Sequence, residues 1–191
     1  MGLRHAVITS VDRDDQPDGG ASAFAECIRQ VRARVPGCRV EVLIPDFKGD
    51  LGALALVTGA RPDILNHNTE TVPRLYRRVR PGAGFERSLG VLRFATHEGL
   101  VAKSGIMLGL GEELPEVLET VERIRDAGTR ILTVGQYLRP SPAHLPVVRY
   151  WTPGEFRDIR EAALRLGFEH VESGPLVRSS YHAEDQARLA P

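Results

Sequence analysis

Six short runs rich in β-branched residues punctuate this chain, and stretches of helical periodicity stand between most of them. The runs are HAVITSV (5–11), RVEVLIP (39–45), DILNHN (63–68), VAKSGIMLGL (101–110), RILTVGQYL (130–138) and HVESGPLV (170–177). Consecutive strands joined through a helix return in the same direction, so this alternation predicts βα units and a parallel sheet. Such a sheet must be covered by its own helices, and its most economical form is a barrel. A complete eight-unit barrel takes about 250 residues. At 191 residues the expected fold is α/β, a partial TIM-type (β/α)6 barrel forming one domain over 1–191.

The helical stretches carry their own signals. Phe24, Ile28, Val31 and Val35 are spaced four, three and four apart, which makes one apolar stripe facing a sheet. In 113–128 the inward set is Val117, Leu118, Val121 and Ile124, with Gly128 as the stop. The stretch 152–167 opens on Thr152 as N-cap with Pro153 at the first helical position, and ends at Gly167. The Pro-rich segment 139–146 reads as a lid or rim loop.

In parallel barrels the reactive groups gather at the carboxyl ends of the strands. Those ends present Asp12, Arg13, Asp14 and Asp15, then Asp46 and Lys48, then Asn66, His67, Asn68 and Glu70. They continue with Gly109, Gly111 and Glu112, then Gln136 and Tyr137, then Arg178, Ser179, Ser180 and Tyr181. A solvated rim would be richer in Lys and Glu, whereas amides and an imidazole suit hydrogen bonding of a polar ligand. A lone His67 reads as a hydrogen-bonded structural histidine before it reads as a general base. The aspartates of VDRDDQPDGG could hold a hard metal ion; spacing alone favours a sharp loop whose carboxylates cap their own backbone ahead of a helix. KSGIMLGLGE (103–112) begins with Lys103 and places Gly105 inside a strand, where glycine signals close approach of another group to the backbone. A flat ring could lie there. Its glycines do not form the dinucleotide fingerprint, because they lie within and after a strand instead of before a helix.

Twenty-five basic residues balance twenty-five acidic ones, so no global cationic field draws the chain to nucleic acid or to an anionic membrane. No apolar run approaches the ~20 residues of a membrane span, and the opening residues lack a signal-peptide pattern; a cytoplasmic location is expected. Cys27 and Cys38 belong to no Cys-x-x-Cys or spaced Cys/His pattern and cannot by themselves build an iron–sulfur or zinc site.

Taken together, TSVDRDD with DGGA, VLIPDFKGD, NHNTETVPRLYRRVRPGA, KSGIMLGLGE, TVGQYLRPS, HLPVVRYWTPGEF and GPLVRSSYHA resemble, in order and spacing, the lipoyl synthases of the radical S-adenosylmethionine (SAM) superfamily. The resemblance runs from about residue 2 to about residue 187. It implies two [4Fe-4S] clusters, each held by a cysteine triad, and S-adenosylmethionine. The implied reaction inserts sulfur at C6 and C8 of an octanoyl chain on a lysine of a lipoyl carrier. Implied partners are that carrier (the E2 subunit of a dehydrogenase complex or the glycine-cleavage H protein) and an electron donor such as ferredoxin or flavodoxin. The implied cofactor-binding set is Asp12, Arg13, Asp14, Asn66, Asn68, Glu70, Lys103, Gly105, Gly109, Gly111, Glu112, Gln136 and Arg178. In the C-terminal Arg-Ser-Ser-Tyr segment (176–187), Ser180 is the implied iron ligand of the auxiliary cluster. The family's cysteine triads lie upstream of the strand that opens this sequence. The expectation is a barrel without the family's first strand and N-terminal extension, with Met1 as an internal methionine and the isolated chain inactive. The alternative is a non-catalytic or split-enzyme subunit that binds an N-terminal half or the octanoylated carrier.

Overall fold

The computed structural model describes residues 2–181 and 183. Its strands are β1 (His5–Thr9), β2 (Arg39–Leu43), β3 (Ile64–Asn66), β4 (Val101–Leu108), β5 (Ile131–Gln136) and β6 (His170–Gly174). Its α-helices are α1 (Ala21–Arg34), α2 (Leu51–Gly59), α3 (Tyr76–Val79), α4 (Phe85–His97), α5 (Leu114–Asp126) and α6 (Pro153–Arg165). The strands form one parallel sheet in chain order, and β1 and β6 are not paired with each other. This is a partial barrel, open between its first and last strands.

Alternation along the strands separates two environments. Val40 and Val42 of β2, Leu65 of β3, Ala102 and Ile106 of β4, and Leu132 and Val134 of β5 join the main core with the helices. The intervening residues face the barrel interior, where Ile64, Val101 and Ile131 form a small apolar plug of their own. On α5, Val117, Val121 and Ile124 are fully buried, each contributing about 1.5–3 kcal/mol by leaving water. Their stripe places the helix.

Every strand stops two or three residues before its apolar run does. Past the end of β3 the backbone still bonds β4. Glu70 N–H donates to Gly105 O at 3.0 Å, and Met107 N–H donates to Glu70 O at 2.8 Å. Helix starts account for much of the polar sequence between elements. Asp18 accepts from the N–H groups of Gly20 (2.9 Å) and Ser22 (2.8 Å) and so opens α1. Asp50 caps α2, and Thr152 with Glu155 forms a reciprocal capping box on α6.

His67 is locked between β3 and α4. It is fully buried, with Nδ1 2.9 Å from Ile44 O and Nε2 3.0 Å from the Ser88 hydroxyl. Nδ1 therefore donates and Nε2 accepts, which fixes the neutral tautomer, and burial pulls the pKa down from 6.5 to about 4. Between those values the unfolded chain binds a proton that the folded chain refuses, so stability falls as pH drops from 6.5 towards 4. The expected loss is about 3 kcal/mol. Denaturant titrations at the two ends of that window check it: His67→Gln should lack that part of the pH dependence, and an unchanged slope in the variant would remove His67 as its source.

Candidate functional site

A cavity of about 330 Å³ opens at the carboxyl ends of the middle strands, within the size range of small-molecule sites, about 300–1,000 Å³. It is lined by Asn68 and Glu70 after β3, by Gly105 and Met107 of β4, and by Thr133, Gly135 and Gln136 of β5. Tyr137, Leu138 and Pro140 form its rim, and Val177, Arg178 and Ser179 its outer side.

Gly105 is there for space. A Cβ at this position would stand 2.6 Å from Thr133 Oγ1 and 2.8 Å from Asn68 Oδ1. That Asn68 oxygen is buried and has no hydrogen-bond partner, which leaves an acceptor beside the bare backbone of β4. The adjacent Glu70 holds a positive φ of 67°, a conformation stabilised by its two bonds to β4. Burial pushes the Glu70 carboxyl above the ordinary carboxylate range, against the field of Arg80 and a hydrogen bond from Asn68. Arg80 in turn donates to Asn68 O at 3.0 Å. Asn68 Oδ1 and the Glu70 carboxyl are acceptors in the lining of the cavity, and the space over Gly105 is taken by Thr133 and Asn68; such acceptors suit hydrogen bonding of a ligand's hydroxyl groups.

Of the residues that the sequence nominates, Asn68, Glu70, Gly105, Gln136 and Arg178 meet at this cavity. Asp12, Arg13 and Asp14 instead border a second cavity of about 430 Å³ beside β1 and β2, with Asp46, Lys48 and Arg80. Two of the three are paired locally: Arg13 with Asp15 at 2.7 Å and Asp14 with Lys48 at 3.0 Å. Asn66 and Lys103 point into the barrel beneath the cavity, and both bond Glu41 Oε1, at 3.3 Å and 2.8 Å.

The Gly-Leu-Gly-Glu turn has a different duty. Glu112 accepts from the backbone N–H groups of Gly109 and Leu110, and from the Trp151 indole at 2.8 Å. Gln136 completes the clamp, accepting from Trp151 N–H at 2.9 Å and donating to Arg149 O at 3.2 Å. Gly109, at φ 115°, lets Gln136 and Arg149 come close, while Gly111 lies against Val148. The segment 148–151 is held by these groups. The sequence singled out neither Thr133 nor Gly135, because each acts only through a neighbour distant in sequence.

A four-iron cluster needs several thiolates, and the described residues do not supply them. Cys27 is exposed on α1 and Cys38 is buried at the opposite end of the sheet from the cavity. No group of three or more His, Cys, Asp or Glu able to hold a metal ion occurs among the described residues. Ser180 is exposed and does not line the cavity, whereas Ser179 does. Among the described residues no helix is long and apolar enough to cross a membrane.

Comparison with known proteins agrees with this architecture. The profile of the radical SAM superfamily matches residues 1–124. The chain is 61% identical to a lipoyl synthase of Rubrobacter xylanophilus, over 100% of this chain and 60% of that protein. It is 56% identical to a lipoyl synthase of Koribacter versatilis, over 98% and 62% of the respective lengths. The chain thus spans about three-fifths of the length of these curated relatives. The fold is similar to that of methylornithine synthase, with TM-score 0.69, 19% identity, and 89% of this chain and 50% of that one covered. It is also similar to a domain of a pyruvate-formate lyase-activating enzyme from Bacteroides vulgatus, with TM-score 0.63, 10% identity, and 87% and 98% covered. An open parallel barrel with its cavity at the strand ends, and a superfamily profile that matches more than half of the sequence, together place this chain in the radical SAM superfamily.

Proposed function

We propose that this chain supplies the nucleoside-binding part of a lipoyl synthase. The observation that carries the reading is the 61% identity to such an enzyme along the whole of the chain. In it, S-adenosylmethionine binds at the strand-end cavity. The partners are an octanoylated lipoyl carrier domain and a low-potential electron donor of the ferredoxin or flavodoxin type. The product is that carrier's octanoyl chain with sulfur at C6 and C8.

Bound S-adenosylmethionine supplies, on reductive cleavage, a radical able to take hydrogen from an unactivated carbon. The residues of this chain do the holding. Asn68 Oδ1 and the Glu70 carboxyl accept from the ribose hydroxyls, Gly105 lets Thr133 and Asn68 pack onto β4, and Arg178 and Ser179 close the outer side. Thr133 and Asn68 fix the width of the floor at Gly105. Because the described residues lack a thiolate set, sulfur insertion requires a cysteine-bearing segment joined to this barrel or bound beside it. The same observation supports the second reading, a subunit of a split enzyme.

The test joins the chain to the cysteine-bearing N-terminal portion of a relative and supplies an octanoylated carrier peptide, S-adenosylmethionine and a reductant under anaerobic conditions. Lipoyl peptide and 5′-deoxyadenosine are expected from the joined protein, and neither from this chain alone. Cleavage of S-adenosylmethionine by the joined protein without lipoyl product, over a range of octanoylated carriers, would refute the assigned substrate.

A further inference from the structure

We infer that Val177–Ser179 is a docked outer wall of the strand-end cavity, that Gly135 is the positioning residue that sets where it stands, and that nucleoside occupancy and placement of the Arg-Ser-Ser-Tyr segment are therefore coupled. The inference rests on the nucleoside reading of the cavity given above. Its own basis is a contact between backbones. A Cβ on Gly135 would lie 2.4 Å from the carbonyl oxygen of Val177 and 3.4 Å from its carbon. Neither atom can rotate away as a side chain would, so only glycine at 135 lets the segment cross β5 at this height.

The same carbonyl is the joint of the wall. Arg178 folds back to donate from Nη1 to Val177 O at 2.7 Å, and Arg178 Nη1 lies 3.6 Å from the Cβ position of Gly135. Val177 is buried and its N–H donates to Gly174 O at 3.1 Å, so the wall hinges on the end of β6. Beyond that point the chain is more exposed, with Ser180 and Tyr181 outside the cavity. A ligand that touches both the strand ends and the wall binds the docked arrangement better than an undocked one. By reciprocity, whatever displaces the wall weakens the ligand. The segment with Ser180 thus senses whether the cavity is filled.

Amide NMR of this chain titrated with 5′-deoxyadenosine tests the coupling. Shifts at Gly105 and Thr133 and at Val177–Ser179 should follow one dissociation constant, and amide exchange at Val177–Ser179 should slow on saturation. Gly135→Ala should weaken binding roughly tenfold, a usual size for coupling between sites. Gly90→Ala is the control, since its Cβ on α4 would meet nothing within 4 Å, and it should leave binding unchanged. The exchange measurement on the unaltered protein stands even if Gly135→Ala does not fold. Shifts confined to the strand ends, with Val177–Ser179 unmoved and unprotected, would overturn the coupling and leave the nucleoside site in place. No shift at Gly105 and Thr133 at millimolar nucleoside would overturn both.

Discussion

Lys103→Met should lower the unfolding free energy by about 3–5 kcal/mol, the usual cost of removing one partner from a buried charge pair. Lys103 and Glu41 are both wholly inaccessible, and Nζ lies 2.8 Å from Oε1. Burial draws the lysine pKa down, while the charge of Glu41 and its hydrogen bond oppose that shift. Around the pair are Asn66, bonded to the same Glu41 oxygen, and His5, whose Nε2 is 3.6 Å from Oε2. Without the ammonium, the Glu41 charge has one amide and a distant imidazole in place of an ion pair. Glu41→Leu with Lys103→Met removes both charges and should recover most of the loss, because an apolar pair of similar volume often replaces a buried ion pair at little cost. Denaturant midpoints for the two single variants and the double variant measure the coupling. A single-variant loss below about 1 kcal/mol, the scale of an exposed pair, would mean that the pair is not isolated from water.

Ser180→Ala should abolish or strongly reduce sulfur insertion in the joined protein while leaving cleavage of S-adenosylmethionine intact. As an iron ligand of a cluster, the role that the family resemblance implies, Ser180 would offer a hard oxygen beside soft sulfur and so the weaker bond. In the same role a thiolate from Ser180→Cys would hold iron more firmly, and slower turnover is expected of that variant too. Following 5′-deoxyadenosine and lipoyl peptide separately distinguishes these effects from a collapsed site. Ser180 stands outside the cavity while Ser179 lines it, so the two neighbours should fail differently: Ser179→Ala through nucleoside affinity, Ser180→Ala through product. Lipoyl product at the parental rate from Ser180→Ala would remove this serine as a ligand.

The short runs gave away the strands because β-branched residues suit a pleated surface whatever lies around them. The sheet order followed from the helices between them. α2 was harder to find. It is apolar on every side, with Leu51 and Leu56 exposed, so no stripe marks it in the sequence. The lining of the cavity was legible where position at a strand end alone decides it, as with Asn68, Glu70 and Gly105. It was hidden where use depends on a distant partner. Lys103 is a strand-end candidate by position, yet Glu41, 62 residues earlier, draws it into the barrel interior. Glu112 resembles a ligand until the backbone N–H groups of its own turn and Trp151 take both its oxygens. Asp18 was one of several aspartates until its bonds to Gly20 and Ser22 made it the start of α1.

The sheet in which spatial order repeats chain order has a consequence for how such a barrel tolerates being lengthened or cut. Each strand pairs only with its predecessor and its successor in sequence, so the hydrogen-bonded ladder is a sum of nearest-neighbour seams, and the Lys103–Glu41 pair is a link that skips from β4 to β2. A unit joined ahead of β1 creates one new seam, and loss of β6 removes one. The seams between remain as they were. In a Greek-key barrel the same cut would orphan strands from distant parts of the chain. Here modules can be spliced at either end, and each added unit gains from the stability of those already folded.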